Sequence, residues 1–132
     1  MNRMIKFRGK NIETGEWVYG FYTQGGYVRE DGTLKVRHII HSDILYDVEE
    51  SSIGQYTGLQ DKNGVEIYEG DIIGNKKIGY GYEIFYDKEI ASFRMRGSEE
   101  FENFRINEHW IKEYKREVIG NIHDNPELLK GE

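Results

Sequence analysis

The chain contains no cysteine, which excludes disulfide frameworks, thiolate metal sites, redox pairs and cysteine nucleophiles together. It has a single proline, Pro126, and no apolar run near the roughly 18 residues that span a membrane. Basic charge is also in short supply. Lys and Arg number 18 against 24 Asp and Glu, a net charge of −6, and that balance disfavours a generic binder of the phosphate backbone. The opening Met1-Asn2-Arg3-Met4-Ile5-Lys6 is basic, but no apolar stretch follows it, so it does not read as a secretory signal. A cytoplasmic protein with no membrane partner is expected. What the chain does have is ten Tyr, six Phe, two Trp and 16 Gly in 132 residues, a mixture that suits β-structure. At 15.6 kDa it can build a core without a metal or disulfide staple.

Residues 1–54 read as an N-terminal β region with a hairpin, and residues 55–132 as a small barrel or meander with a short helix and a closing strand. Together they are expected to form one compact unit. Trp17-Val18-Tyr19-Gly20-Phe21-Tyr22 predicts a strand apolar on both faces. Asp31-Gly32 predicts a two-residue type I′ loop, placing Tyr27 opposite Val36 and putting Tyr27, Leu34, Val36, His38 and Ile40 on one core-facing side. Asn63-Gly64 predicts a second such loop, with Lys62 opposite Val65, Gln60 opposite Ile67 and Leu59 opposite Tyr68. Glu99, Glu100 and Glu102 precede Ile106, Trp110, Ile111 and Tyr114, whose spacing predicts a helix face. Val118 to Ile122 predicts the closing strand, and Asn125-Pro126 starts a one-turn helix.

Chemistry-bearing constellations are sparse. His38 and His41 lie three apart and so point to opposite faces of a strand, which prevents them from chelating one ion. His38 is expected to be a satisfied core or interface residue, and His41 exposed. His109 and His123 have no acidic or histidine partner at metal spacing, so no metal site is expected. Glu66, Glu69 and Asp71 cluster at a turn and could pair as acid and base or hold a hard cation, but acidic side chains at glycine turns more often cap backbone amides. Gly79-Tyr80-Gly81 fails as a dinucleotide fingerprint, because Ile84 stands where glycine is required and no helix follows. No catalytic residue and no cofactor is expected. Lys6, Arg8 and Lys10 form a local basic stretch, either the solvated face of a first strand or, with barrel aromatics and Arg94 and Arg96 near Phe93, a contact for single-stranded nucleic acid. Net charge disfavours the second reading. Ten Tyr with Trp17 and Trp110 either line the core margin or form an oligomer interface.

Several contiguous stretches carry a resemblance. Gln55-Tyr56-Thr57-Gly58-Leu59, Asp61-Lys62-Asn63-Gly64, Ile67-Tyr68-Glu69-Gly70-Asp71-Ile72 and Val118-Ile119-Gly120-Asn121-Ile122, then Asn125-Pro126-Glu127-Leu128-Leu129, resemble the YopX family of bacteriophage and prophage proteins. Ile5-Lys6-Phe7-Arg8 and Trp17-Val18-Tyr19-Gly20 are similar to that family's amino end, while residues 74–117 are less diagnostic. The resemblance implies a mainly β protein with an SH3-type barrel, sometimes self-associating, acting inside a bacterial host and with no established activity. Gly58, Asn63, Gly64, Tyr68, Gly70, Asp71, Gly120, Asn121 and Pro126 are expected to fix backbone geometry and not to form a reaction centre. The expected role is non-enzymatic, through self-association or an unidentified host or phage protein, with nucleic-acid binding as the alternative.

Overall fold

The computed structural model describes residues 4–97 and 103–129. Contacts divide the chain into two compact units, Met1–Gln55 and Tyr56–Glu132. The protein is mainly β, and all the named strands pair antiparallel.

The first unit runs through β1 (Phe7–Lys10), β2 (Trp17–Val28), β3 (Leu34–His41) and β4 (Leu45–Asp47), in the order β4-β3-β2-β1. On the far side of β1, Arg8 and Phe7 pair with Gly54 and Gln55, the first residues of β5 (Gly54–Gln60). The core here is small. Ile39, Ile40 and Val48 are the buried hydrophobics among the described residues of this unit, each contributing about 1.5–3 kcal/mol.

β2 and β3 make a long two-stranded ribbon whose register differs from the sequence expectation by one residue. Val28 faces Leu34, Tyr27 faces Lys35 and Gly26 faces Val36. The loop holds three residues, closed by Arg29 N–H donating to Thr33 O at 2.7 Å and Gly32 N–H to Arg29 O at 2.9 Å. The reason is local. Gly32 alone has a positive φ, 87°, whereas type I′ needs two such residues, and the Asp31 carboxylate instead accepts from Thr33 N–H at 2.9 Å. Tyr27 therefore lies on the face opposite Leu34 and Val36. That face meets the core only at its far end, since Leu34 is 64% exposed and Ile40 is fully buried.

In the second unit the remainder of β5 pairs with β6 (Glu66–Tyr68), Tyr56 opposite Tyr68 and Gln60 opposite Glu66, with an irregularity between them. A five-stranded sheet follows in the order β10 (Asn103–Arg105), β9 (Ser92–Arg96), β8 (Tyr80–Asp87), β7 (Asp71–Asn75), β11 (Glu117–Asn121). Both ends of this order are open, so the barrel expected from the sequence does not close among the described residues. Short strands bounded by turns are equally compatible with an open sheet, and their spacing does not encode closure. The Asn63-Gly64 loop repeats the first departure. Asp61 N–H donates to Val65 O at 2.8 Å around the three residues Lys62, Asn63 and Gly64, and only Gly64, at φ 81°, is left-handed. Gln60 thus faces Glu66, not Ile67.

The core of this unit gathers Ile67, Ile73, Ile84, Met95 and Ile111, flanked by Leu59, Tyr82, Ile106, Trp110 and Val118. Helix α1 (Glu108–Glu113) starts where the Asn107 side chain accepts from Trp110 N–H at 2.8 Å, and it buries Ile111 while Tyr114 beyond it is exposed. Glu99, Glu100 and Glu102 lie outside the described residues. After β11 a single 3-10 turn spans Pro126–Leu128.

Candidate functional site

The family-like motif residues hold the backbone. Asp71 is 2% exposed, and its Oδ2 accepts from Tyr68 N–H at 2.7 Å across the Glu69-Gly70 turn. Glu66 Oε1 accepts from the Tyr68 hydroxyl at 3.2 Å. These bonds engage Glu66 and Asp71 in the turn itself. Gly70 donates to Ile84 O at 2.8 Å and accepts from Ile122 N–H at 2.9 Å. The Asn121 side chain accepts from His123 and Asp124 N–H, both at 2.9 Å. A Cβ on Gly120 would lie 2.7 Å from Asn125 Oδ1, so a larger residue there would displace the Asn125 side chain from its turn. Gly58, Gly64 and Gly70 all have positive φ, and Asn63 occupies the loop tip.

One residue of the same motif does more than sequence reasoning assigned to it. Asp61 is 7% exposed; its Oδ1 accepts from Asn63 N–H at 2.8 Å and Val65 N–H at 2.9 Å, and its Oδ2 from Val118 N–H at 2.9 Å. An aspartate opening a turn ahead of Asn-Gly is the sequence signal for the first two bonds. Nothing in the sequence signals the third.

The basic first strand is not a solvated face. Arg8 is 5% exposed, its guanidinium 4.4 Å from the centre of the Trp17 ring, and Lys10 Nζ lies 5.4 Å from that ring. Lys6 is half-buried. Arg94 pairs with Asp87 at 3.1 Å, and Arg96 pairs with Glu83 at 3.3 Å while covering the Phe85 ring at 4.1 Å. The Arg94 guanidinium holds the Asp87 carboxyl below its usual range.

The histidines are dispersed. His41 is exposed at the end of β3. His38 lies inside, with Nδ1 2.6 Å from the Tyr22 hydroxyl, the two rings stacked 6.0 Å apart, and Nε2 3.5 Å from Glu50 Oε2. His109 does have an acidic partner, Glu113, at 2.9 Å one helical turn on, a pairing that α1 creates and the sequence reading had denied. Among the described residues no three His, Cys, Asp or Glu side chains come together in a way that could hold a metal ion.

Two concavities among the described residues bear on function. In the second unit, a pocket of about 280 Å³ includes Thr57, Phe93 and Asn107, whose polar atoms already serve the fold: the Thr57 hydroxyl donates to Ile67 O at 2.8 Å and Asn107 caps α1. The first unit carries a larger groove of about 510 Å³ beside β3, lined by Tyr27, Lys35, Val36 and Arg37 on the ribbon and by Val48 and Glu49 beyond β4. Arg37 clamps Asp47 with two hydrogen bonds, both 2.8 Å, an arrangement that holds the Asp47 carboxyl below its usual range and raises the Arg37 guanidinium above its own. Exposed apolar side chains occur elsewhere on β2–β4 as well: Phe21 and Val28 are 69% exposed and Leu45 60%, against 55% for Tyr27 in the groove. Sequence alternation places Tyr27, Leu34 and Val36 against the core, but all three are exposed.

No curated protein matches the chain. A crystal structure of protein EF1440 from Enterococcus faecalis is similar to it, at 28% identity over 98% of this chain and 100% of that one, with a TM-score of 0.55. The YopX protein family matches residues 6–130, nearly the whole length. The chain belongs to the YopX family.

Proposed function

We propose that this protein is a non-enzymatic phage or prophage accessory protein that binds another protein through the β2–β3 ribbon and β4 of its first unit. The observation that carries this reading is the exposure of Phe21, Tyr27 and Leu45, which the strand register sets on one face of the β2–β3–β4 sheet, with Val28 and Leu34 exposed on the other. Tyr and Phe on rigid strands bury area on binding with little loss of side-chain freedom. The groove adds a mixed lining, with Tyr27, Val36 and Val48 beside charged side chains. Nucleic-acid binding gains less support, because Arg8 is buried and both Arg8 and Lys10 engage Trp17.

Partner capture by the wild-type chain is compared with capture by a chain carrying Phe21→Ser, Tyr27→Ser and Leu45→Ser, after urea unfolding has shown that both are equally stable. A partner retained by the wild type and lost by the variant supports the reading. Equal capture by both, or none by either, overturns it. Light scattering decides whether the partner is a second copy, since self-association gives a mass above 15.6 kDa.

A further inference from the structure

β3 is paired with β2 along its whole length, from His41 opposite Phe21 to Leu34 opposite Val28. On its other side β4 covers only Ile39 to His41. Pairing on that side continues one step further, where Val48 N–H donates to His38 O at 2.9 Å, and then stops among the described residues. Backbone groups alternate along a strand, so the outward carbonyl of His38 fixes the direction of the rest. Val36 and Leu34 turn their N–H and C=O outward, while Lys35 and Arg37 turn theirs toward β2. The closing bond from Arg29 N–H to Thr33 O, at 2.7 Å, confirms the same phase at the other end. The uncovered stretch Leu34–Arg37 is about 13 Å long at strand rise, and the 510 Å³ groove runs along it, lined by Lys35, Val36 and Arg37.

We infer that this edge takes an extended segment of a partner protein as an added strand, with apolar residues opposite Leu34 and Val36 and an acidic residue opposite Lys35. The inference rests on the protein-binding reading above and names the kind of partner. Charge selects the occupant. A second copy pairing edge to edge must bring outward residues opposite one another. Leu34 opposite Val36 then sets Lys35 against Lys35, and Val36 opposite Val36 sets Lys35 against Arg37. Like charges directly opposite are destabilising, most of all in the Lys35–Lys35 register, since Asp47 pairs with Arg37. An acidic residue opposite Lys35 removes the conflict. Arg37 is already neutralised by Asp47, and Glu50 lies near His38, so the acidic position belongs at the Leu34 end of the edge and not at the His38 end. Strand addition of this kind takes its affinity from main-chain hydrogen bonds and its selectivity from alternate side chains.

The probe is a capped synthetic peptide with valines flanking a central glutamate, together with a matched lysine peptide, and the readout is amide hydrogen exchange at Leu34 and Val36. The glutamate peptide is expected to slow exchange at both amides. Val36→Pro removes an outward donor and leaves the ladder to β2 in place, so it should abolish binding while the amides shared with β2 stay protected. Lys35→Glu should weaken the glutamate peptide roughly fivefold and favour the lysine peptide. Unchanged exchange at both amides with millimolar peptide, or unaltered binding by Val36→Pro, overturns the inference. If that happens while the Phe21→Ser, Tyr27→Ser, Leu45→Ser chain still loses its partner, strand addition fails and the protein-binding surface stands. If that chain also keeps its partner, both fail.

Discussion

Asp61 and Val118 are joined by a 2.9 Å hydrogen bond from a backbone N–H to a buried carboxylate, although 57 residues separate them. The same carboxylate closes the Lys62-Asn63-Gly64 loop, so one side chain fixes both the loop and its attachment to β11. Charge-assisted bonds of this kind are the strong ones, and removing the acceptor leaves their donors without a partner. Asp61→Ala is therefore expected to destabilise the second unit by about 2–4 kcal/mol, and Asp61→Asn by less, because an amide oxygen still accepts. Urea unfolding followed by the fluorescence of Trp110 measures it. A loss below about 0.5 kcal/mol for the alanine variant would contradict this role for Asp61.

The loop geometry makes a second forecast. Gly64 sits at φ 81°, whereas Asn63 has no positive φ. Gly64→Ala should cost about 1–2 kcal/mol through left-handed strain. Asn63→Gly, which would favour a two-residue type I′ loop if one formed, should not stabilise the protein. Equilibrium unfolding of the two variants side by side checks both, and a stabilised Asn63→Gly protein would mean the loop had been misread.

Glu117 supplies a pH dependence. Glu117 is 6% exposed, and its carboxylate lies 3.0 Å from Lys62 Nζ and 3.5 Å from Lys76 Nζ. The hydrogen bond from Lys62 leads in holding it below the ordinary value of 4.5, burial working the other way. A depressed folded value means that the contribution is present above the unfolded pKa and disappears as pH falls through the folded one. Glu117→Gln should thus lower the urea midpoint at neutral pH, with the gap to wild type closing as pH drops below about 4.5. A gap that is constant down to strong acid would show that the ion pairs contribute nothing.

Contact with nucleic acid is tested at Lys6 and Lys10, since Arg8 is buried. Retention on a single-stranded DNA column is expected to be weak and unchanged by Lys6→Ser with Lys10→Ser. Strong retention that collapses with salt and with those substitutions would instead favour the nucleic-acid reading.

The sequence made most strand positions and the helical stretch between Ile106 and Tyr114 readable, because alternation, helical spacing and turn chemistry are local, while the short strands β4 and β10 carried no such signal. It misplaced by one residue the register of both the Asp31-Gly32 and Asn63-Gly64 turns. Their dipeptides suit type I′, but Asp31 and Asp61 side chains stabilise a three-residue alternative through their own turn amides. That single step put Tyr27 on the wrong face. Burial was the other illegible quantity. Lys6, Arg8 and Lys10 alternate like a wet strand face, yet Arg8 lies under Trp17, while Leu34 and Val36 alternate like core residues and remain exposed. Which strand ends where, and what then covers its neighbour, depends on tertiary pairing that no local pattern carries.

The most direct test replaces Tyr27 or Asn63, both exposed, with a photo-cross-linking phenylalanine analogue and irradiates host cells producing each protein. The account predicts a discrete protein adduct from Tyr27 that disappears when Phe21→Ser and Leu45→Ser are added, and none from Asn63. A discrete adduct from the Asn63 loop, with nothing from Tyr27, would contradict it by making the recognisable motif the working surface and the ribbon the scaffold.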